Sequence, residues 1–124
     1  MDIEQTPLTG NDLLEITHNW QEKLNIKSNR IQIMKMKNKW SSCSTKGNIT
    51  LNSELTKLPK EIAEYAILHE LLHLIAPNHG KTFKALLSAY MPKWEQLHNK
   101  LVSFSPEQKS VSSSDEQLLR QKEL

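Results

Sequence analysis

Two histidines four positions apart, with a glutamate directly after the first, constrain this chain more than any other feature of its 124 residues. They occur in the run His69-Glu70-Leu71-Leu72-His73. On a helix, side chains at positions i and i+4 lie on one face, with Cβ atoms about 5–6 Å apart. Two imidazoles at that separation can both reach one Zn²⁺ at about 2.0–2.1 Å. The motif therefore predicts a helix that presents one face to a metal ion.

Glu70 has a different predicted role from the histidines on either side of it. Because it directly follows His69, a helix rotates its carboxylate away from the metal. It is poorly placed to be a ligand, but it can reach a metal-bound water and act as a general base. His79 is the natural third protein ligand, and the fourth position is then left open for water. An open position is typical of a catalytic zinc site.

A short motif of this kind also arises by chance, so its context decides between a metal site and a coincidence. An apolar helical run over residues 62–68 precedes the motif, and a third histidine follows it closely. Pro77 disfavours the α conformation at Ala76 and is expected to end the helix there. Asn78 tolerates the left-handed conformations of a turn. His79 would then approach the metal from just beyond the helix end, or from the first turn of the next helix.

Composition restricts the class of protein and its compartment. The length predicts one domain with at most a short appendage. The formal charge of +2 is too small to imply nucleic-acid binding by itself. No apolar run is long enough to span a membrane, and residues 1–5 do not resemble a signal peptide. The single cysteine, Cys43, excludes an intramolecular disulfide and remains an alternative metal ligand. Together these features predict a cytoplasmic protein.

Hydrophobic periodicity predicts the helices. The first is expected over roughly residues 11–25, with Asn11 or Thr9 as its cap, and His18 on it is expected to be a surface or packing residue. The motif-bearing helix is expected over roughly residues 59–75, with Pro59 at its start. An amphipathic helix begins near Lys81 and is broken into two pieces at residues 91–92, where a proline occurs.

Two strands are expected between the first helix and the motif helix. Alternating apolar and polar residues predict one strand over residues 30–39, and a short second strand is expected over residues 49–52, with residues 46–48 as the hairpin connection. Lys35, Lys37 and Lys39 would share one face of the first strand. That face is either solvated or a contact surface for phosphate or acidic substrates.

The composition changes near residue 105. Residues 105–114 are polar, serine-rich and typical of a linker. Residues 115–124 are too few to form a stable helix alone. The predicted organisation is one domain over residues 1–104, followed by a flexible polar tail over residues 105–124.

These motifs, in this order, resemble the YgjP-like metallopeptidase domain, a small relative of the SprT-like and WLM-type zinc proteases. The resemblance covers roughly residues 10–102 and rests on segments 40–48, 69–74, 77–79 and 91–94, together with Phe83. It implies an α+β minimal zincin fold: an N-terminal helix, a small antiparallel sheet, the HExxH helix and a C-terminal helix. It also implies zinc held by His69, His73 and His79, with Glu70 as the base.

Three positions depart from the pattern of that family. Ser41 stands where glycine is usual, Gly80 where serine is usual, and Lys84 where an aromatic residue is common. None of these departures removes a candidate ligand or the candidate base. They leave the detailed shape of the substrate groove open.

The leading hypothesis is a zinc-dependent peptidase that acts on a peptide or protein substrate. Glu70 would take a proton from the zinc-bound water and return it to the leaving amine. An extended peptide would pair with an exposed strand near residues 40–44 by strand addition. Tyr65, Tyr90 and His98 are the candidates for an additional oxyanion donor.

Two alternatives from other classes stay open. One is a DNA- or chromatin-associated module with weak or tightly restricted proteolysis, which the basic strand and the SprT-like kinship favour. The small net charge and the lack of a zinc-ribbon cysteine set argue against it. The other is a structural metal domain without turnover, although such a site has no need of Glu70. The sequence does not predict an oligomeric state.

Overall fold

The computed structural model describes residues 8–104. Within them lie a short 3₁₀ helix, Ser53–Lys57, and the main elements α1 (Gly10–Leu24), β1 (Arg30–Met34), β2 (Ser41–Cys43), β3 (Asn48–Asn52), α2 (Lys60–Leu72), α3 (Lys81–Tyr90) and α4 (Trp94–Phe104). The α+β class expected from the sequence is confirmed, and the 3₁₀ helix was not predicted. The proposed tail over residues 105–124 lies outside the described residues, so it stays a prediction.

Helix α1 begins at a capping box, with Thr9 rather than Asn11 as its N-cap. The backbone N–H of Asp12 donates to the Thr9 hydroxyl over 3.1 Å, and the Thr9 N–H donates to the Asp12 carboxylate over 2.8 Å. These two bonds satisfy donors that the first turn of a helix cannot pair internally. Asn25 ends the helix in the left-handed conformation, with a φ of 58°. The caps set the length of a helix that packs against α2.

The three-stranded sheet formed by residues 8–104 is mixed, whereas a purely antiparallel sheet was expected. Strand β3 is central, in the order β1-β3-β2. Strand β1 runs parallel to β3, with Ile31 opposite Ile49, and β2 runs antiparallel to β3, with Ser41 opposite Leu51. The hairpin connection therefore joins β2 to β3, and not the first strand to β3 as predicted.

Strand β1 ends at Met34, although the sequence pattern extends to Lys39. The fully buried side chain of Asn52 accounts for the difference. Its amide group donates to the carbonyl oxygen of Met36 over 3.0 Å and to that of Lys39 over 2.7 Å, and its own oxygen accepts from the N–H of Glu54 over 2.9 Å. These bonds hold residues 35–39 as a loop that returns the chain to β2.

The loop also changes the interpretation of the basic segment. Lys35, Lys37 and Lys39 follow β1 and do not belong to a strand. Alternation on a strand is what would have placed the three side chains on one face. The predicted basic strand face is therefore absent from the described part of the chain.

Helix α2 is the buried centre of the domain and contacts α1, α3, α4 and β2. Of its 13 residues, the ten from Ile62 to Leu72 other than Glu64 are buried. A helix that is apolar on all sides is typical of such a position. His69 and Glu70 are 5 % and 3 % exposed within this helix. Because buried polar groups cost free energy unless they have partners, their presence there indicates a specific role.

Helix α2 ends at Leu72, earlier than Pro77 alone predicts. The N–H groups of Ile75 and Ala76 both donate to the carbonyl oxygen of Leu72, over 2.9 and 2.8 Å, so the chain tightens into turns before the proline. His73, the C-cap, keeps helical dihedral angles of −67° and −16°. It therefore stays on the same helix face as His69.

The C-terminal part of the domain agrees with the sequence. Helix α3 ends at Tyr90 and α4 begins at Trp94, so the predicted break at residues 91–92 is confirmed. Phe83 and Leu87 of α3 and Trp94, Leu97 and Leu101 of α4 complete the hydrophobic core around α2. None of the helices within residues 8–104 has the length and apolar character that a membrane crossing requires.

Candidate metal centre and catalytic site

Three imidazoles converge at the C-terminal end of α2. His69 comes from its last turn, His73 is its C-cap, and His79 lies in the segment that precedes α3. One ring nitrogen of each lies within 4.8 Å of the others. The Nε2 atoms of His73 and His79 are 3.0 Å apart. The structure thus brings together all three histidines that the sequence singled out, including His79 from beyond the helix.

The donor atoms of this cluster fit a metal ion. His69 Nε2 is buried and has no hydrogen-bond partner within residues 8–104. An unpaired buried polar atom typically costs about 1–3 kcal/mol. The other ring nitrogen, Nδ1, lies 3.3 Å from the hydroxyl of Tyr65. Nε2 is therefore the nitrogen that is available to bind a metal ion. Imidazole nitrogen is a common ligand of zinc and other transition metals.

Burial and mutual proximity keep the imidazoles of His69 and His73 neutral. Burial, followed by the neighbouring imidazoles, lowers the pKa of His69 well below its ordinary value. Burial and then His79 lower the pKa of His73 to about 4, although backbone contacts at Pro77 and Ala76 act in the opposite direction. Because a histidine must be neutral to bind a metal, His69 and His73 are in their binding form at neutral pH.

Phe83 packs against all three imidazoles and restricts their orientation. It is fully buried in α3. Its ring centroid lies 5.2 Å from that of His69, 4.8 Å from that of His73 and 4.9 Å from that of His79. The contact with His73 is stacked, with an interplanar angle of 29°. One core phenylalanine therefore positions side chains that come from two separate segments.

Glu70 lies beside the imidazole cluster and is not a member of it. Its carboxylate accepts a hydrogen bond of 2.9 Å from the hydroxyl of Ser41, in β2. Glu70 and His73 also line a cavity of about 530 Å³ that follows β2 and the β2–β3 turn. The buried carboxylate of Glu70 therefore lines an open cavity together with His73, one of the three imidazoles of the candidate metal site.

Cys43 lines the same cavity but does not join the imidazole cluster. Burial, and secondly the charge of Glu70, raises the pKa of its thiol to about 11. A thiol must lose its proton to bind a metal. These observations count against Cys43 as the alternative ligand considered from the sequence.

The three oxyanion-donor candidates do not line the cavity. Tyr65 is fully buried in α2, and its hydroxyl lies 2.9 Å from Nδ1 of His98. Burial, with the charge of Glu70 as the smaller cause, raises the pKa of Tyr65. Tyr90 instead packs its ring against the edge of Trp20, at 5.7 Å between centroids. The cavity wall contains none of these three side chains.

The fold and the site together define a small α+β metallopeptidase domain. The family model described as "YgjP-like, metallopeptidase domain" matches residues 8–104, and the chain belongs to that family. The match covers the whole described part of the chain, from the residue before the α1 cap to the end of α4. The family identified from the order of the motifs is therefore confirmed.

Solved structures of two metallopeptidase zymogens are similar to this chain. The metallopeptidase zymogen of Methanocaldococcus jannaschii jannalysin is 31 % identical, with a TM-score of 0.67, over 74 % of this chain and 95 % of that chain. The metallopeptidase zymogen of Pyrococcus abyssi abylysin is 22 % identical, with a TM-score of 0.66, over 73 % of this chain and 92 % of that chain. Because abylysin is only 22 % identical, its similarity shows the fold alone. A comparison with curated proteins finds no significant match.

Proposed function

We propose that this chain is a zinc-dependent peptidase in which His69, His73 and His79 hold the metal and Glu70 is the general base. One observation carries the proposal: a buried carboxylate, bonded to Ser41, lines an open cavity next to three clustered imidazoles. Membership of a metallopeptidase family supports the same conclusion from an independent side.

The proposed mechanism assigns two roles to residues of this chain: the histidines bind the metal, and Glu70 transfers the proton. Bound Zn²⁺ would supply polarisation of the scissile carbonyl and a water whose pKa is lowered to about 7. Glu70 takes the proton of the attacking water and passes it to the leaving amine, which makes it first a base and then an acid. The hydrogen bond from Ser41 holds one carboxylate oxygen of Glu70 during both steps.

The proposed substrate is an extended peptide or an extended segment of a protein. Strand β2 lies at one edge of the described sheet, because β3 pairs with it on the other side. An edge strand can accept a peptide by main-chain hydrogen bonding, which fixes the direction and register of the peptide. A peptide paired in this way would lie along the cavity whose wall contains Glu70.

The DNA- or chromatin-associated alternative has no specific support in the described residues. Its basis in the sequence was a basic strand together with the SprT-like kinship, and the three lysines of that strand lie in the loop after β1. We therefore retain the peptidase proposal alone.

Replacement of Glu70 by glutamine tests the proposal. Glu70→Gln keeps the shape of the side chain but removes the proton acceptor, so turnover of a cleavable peptide should fall by about 10²–10⁴-fold. Zinc should remain bound, because Glu70 is not one of the proposed ligands. The measurement is the turnover rate of wild type and variant at equal zinc content, with the zinc measured by mass spectrometry of the native protein.

Glu61→Gln is the matched control, because it makes the same chemical change in the first turn of the same helix, at an exposed position. It should leave turnover unchanged. Equal rates for Glu70→Gln and wild type would contradict the proposed base. A native protein without stoichiometric zinc would contradict the proposed metal.

A further inference from the structure

We propose that Tyr65 and His98 are positioning residues that form a hydrogen-bonded relay to His69 and thereby join the metal centre to α4. The inference deepens the proposed function and rests on His69 being a metal ligand. It concerns the side of His69 that faces away from the metal, where neither residue contacts the substrate cavity.

The Tyr65 hydroxyl lies between two imidazole nitrogens. It is 3.3 Å from Nδ1 of His69 and 2.9 Å from Nδ1 of His98. Tyr65 precedes His69 by one helical turn on the same face of α2. Its ring meets both imidazoles edge-on, with interplanar angles of 87° and 80°. The phenol is fully buried, so these two nitrogens take the place of water as its partners.

The direction of the two hydrogen bonds decides whether His69 can bind a metal. A hydroxyl has one hydrogen, so it donates to one imidazole and accepts from the other. If Tyr65 donated to His69, the hydrogen of neutral His69 would lie on Nε2, and that nitrogen would have no lone pair for a metal. If Tyr65 donates to His98, His69 carries its hydrogen on Nδ1 and its Nε2 lone pair is exposed to the metal position.

His98 therefore selects the metal-binding tautomer of His69 through Tyr65. Its Nδ1 accepts the phenolic hydrogen, which leaves the Tyr65 oxygen to accept the hydrogen on His69 Nδ1. Metal-binding histidines commonly donate their second ring hydrogen to a neighbouring acceptor, and loss of that acceptor typically weakens metal binding about 10–100-fold. Here the acceptor is a phenol whose own orientation depends on a third residue.

The relay also crosses an interface between helices. Tyr65 and His69 belong to α2, whereas His98 belongs to α4. Helix α4 packs against α2 through its buried residues Trp94, Leu97 and Leu101. The Tyr65–His98 hydrogen bond favours the metal-binding tautomer of His69, and it forms only when α4 is docked on α2. It therefore couples metal binding to the docking of α4. Metal binding should therefore stabilise the docking of α4, and displacement of α4 should weaken metal binding by the same factor.

The test measures zinc affinity by competition with a chromophoric chelator. Tyr65→Phe removes only the hydroxyl oxygen, and His98→Leu removes the acceptor. Each should weaken zinc binding about 10–100-fold. The double variant should bind no more weakly than Tyr65→Phe alone, because one break already interrupts the relay. Tyr90→Phe removes the same atom from an exposed tyrosine of α3 and should keep the wild-type affinity.

His98→Asn separates positioning from packing. Its side-chain oxygen can accept the Tyr65 hydrogen near the place of Nδ1, so it should recover most of the affinity that His98→Leu loses. A residue that only fills space would not distinguish these two variants. Thermal unfolding of the metal-free proteins, followed in parallel, reports on packing alone.

Wild-type affinity in Tyr65→Phe and His98→Leu would overturn the relay, and so would equal losses in His98→Leu and His98→Asn. Failure of the proposed function gives a different result, since wild-type protein would then bind no stoichiometric zinc. Tight zinc binding by wild type, weakened by His79→Ala but not by the relay variants, would reject the relay and keep the metal site.

Discussion

Ser41 donates a hydrogen bond of 2.9 Å to the carboxylate of Glu70, and this bond links the edge strand β2 to the central helix α2. Both side chains are buried, with 6 % and 3 % of their surface exposed. A buried carboxylate needs hydrogen bonds to remain charged without a large penalty. Ser41 stands where the family pattern usually has glycine, so its hydroxyl is a departure that bonds directly to the proposed base.

We predict that Ser41→Ala lowers kcat/KM for a cleavable peptide about tenfold. A hydrogen bond to a charged group is worth about 1.5–3 kcal/mol, and 1.4 kcal/mol corresponds to a factor of ten in rate. Zinc content should not change. Ser42→Ala, the same substitution at the next position of β2, is the control and should have a smaller effect. Equal losses in both variants would mean that the bond does not orient Glu70.

We predict that His79→Ala weakens zinc binding by more than the relay variants do, because it removes a proposed ligand and not a group behind one. The loss should therefore exceed about 100-fold. Competition with a chelator measures it. His18→Ala removes an exposed imidazole from α1 and should have no effect. If His79→Ala retained full zinc at wild-type affinity, the third-ligand assignment would be wrong.

We predict that the metal-free protein loses stability as the pH falls from about 6.5 toward about 4. In the folded state the pKa of His69 lies well below 6.5 and that of His73 is about 4, whereas unfolded histidine titrates near 6.5. Between these values the unfolded chain binds protons that the folded chain does not. The free energy of unfolding must therefore fall as the pH is lowered through this range, and the contribution of these two groups is fully retained above it.

Urea unfolding in the presence of a chelator measures this pH dependence. His73→Gln removes one of the responsible groups and should make the slope shallower. A free energy of unfolding that stays constant or increases as the pH is lowered from 6.5 to 4 would contradict the prediction.

Local signals made much of the domain predictable. The HExxH spacing located the site-bearing helix, Pro77 and Asn78 indicated the turn that returns His79, and Pro92 marked the break between α3 and α4. Each of these features acts within a few residues of its own position. The same helical spacing also places Tyr65 on the helix face of His69. The contact between Tyr65 and His69 could therefore have been predicted from the sequence.

Features that depend on distant contacts were not predictable in the same way. The parallel pairing of β1 with β3 is non-local, and alternation alone cannot distinguish it from a hairpin. The early end of β1 depends on Asn52, which bonds backward to Met36 and Lys39. In the sequence, Asn52 is only a polar residue at the end of a short strand. The approach of His98 to Tyr65 similarly depends on how α4 packs.

We predict that Asn52→Ala lowers the free energy of unfolding by about 2–3 kcal/mol, because it leaves backbone groups of the loop without a partner. Urea denaturation gives the value. Asn48→Ala is the matched control, since the side chain of Asn48 makes an exposed contact with Asn29, at 2.9 Å. It should cost less than about 1 kcal/mol. Similar losses in the two variants would show that Asn52 does not hold the loop.

The burial of α2 has a kinetic consequence for the proposed metal site. Backbone amides in a packed core helix typically open with free energies that approach the global free energy of unfolding, whereas exposed segments open locally at little cost. His69 and His73 lie in or directly after such a helix, while His79 lies among the exposed residues Pro77, Asn78 and Gly80. A metal ion would enter and leave through excursions of the His79 segment, while the other two imidazoles stay in place. The residence time of the metal would then be governed by one short segment, even though all three histidines determine its affinity.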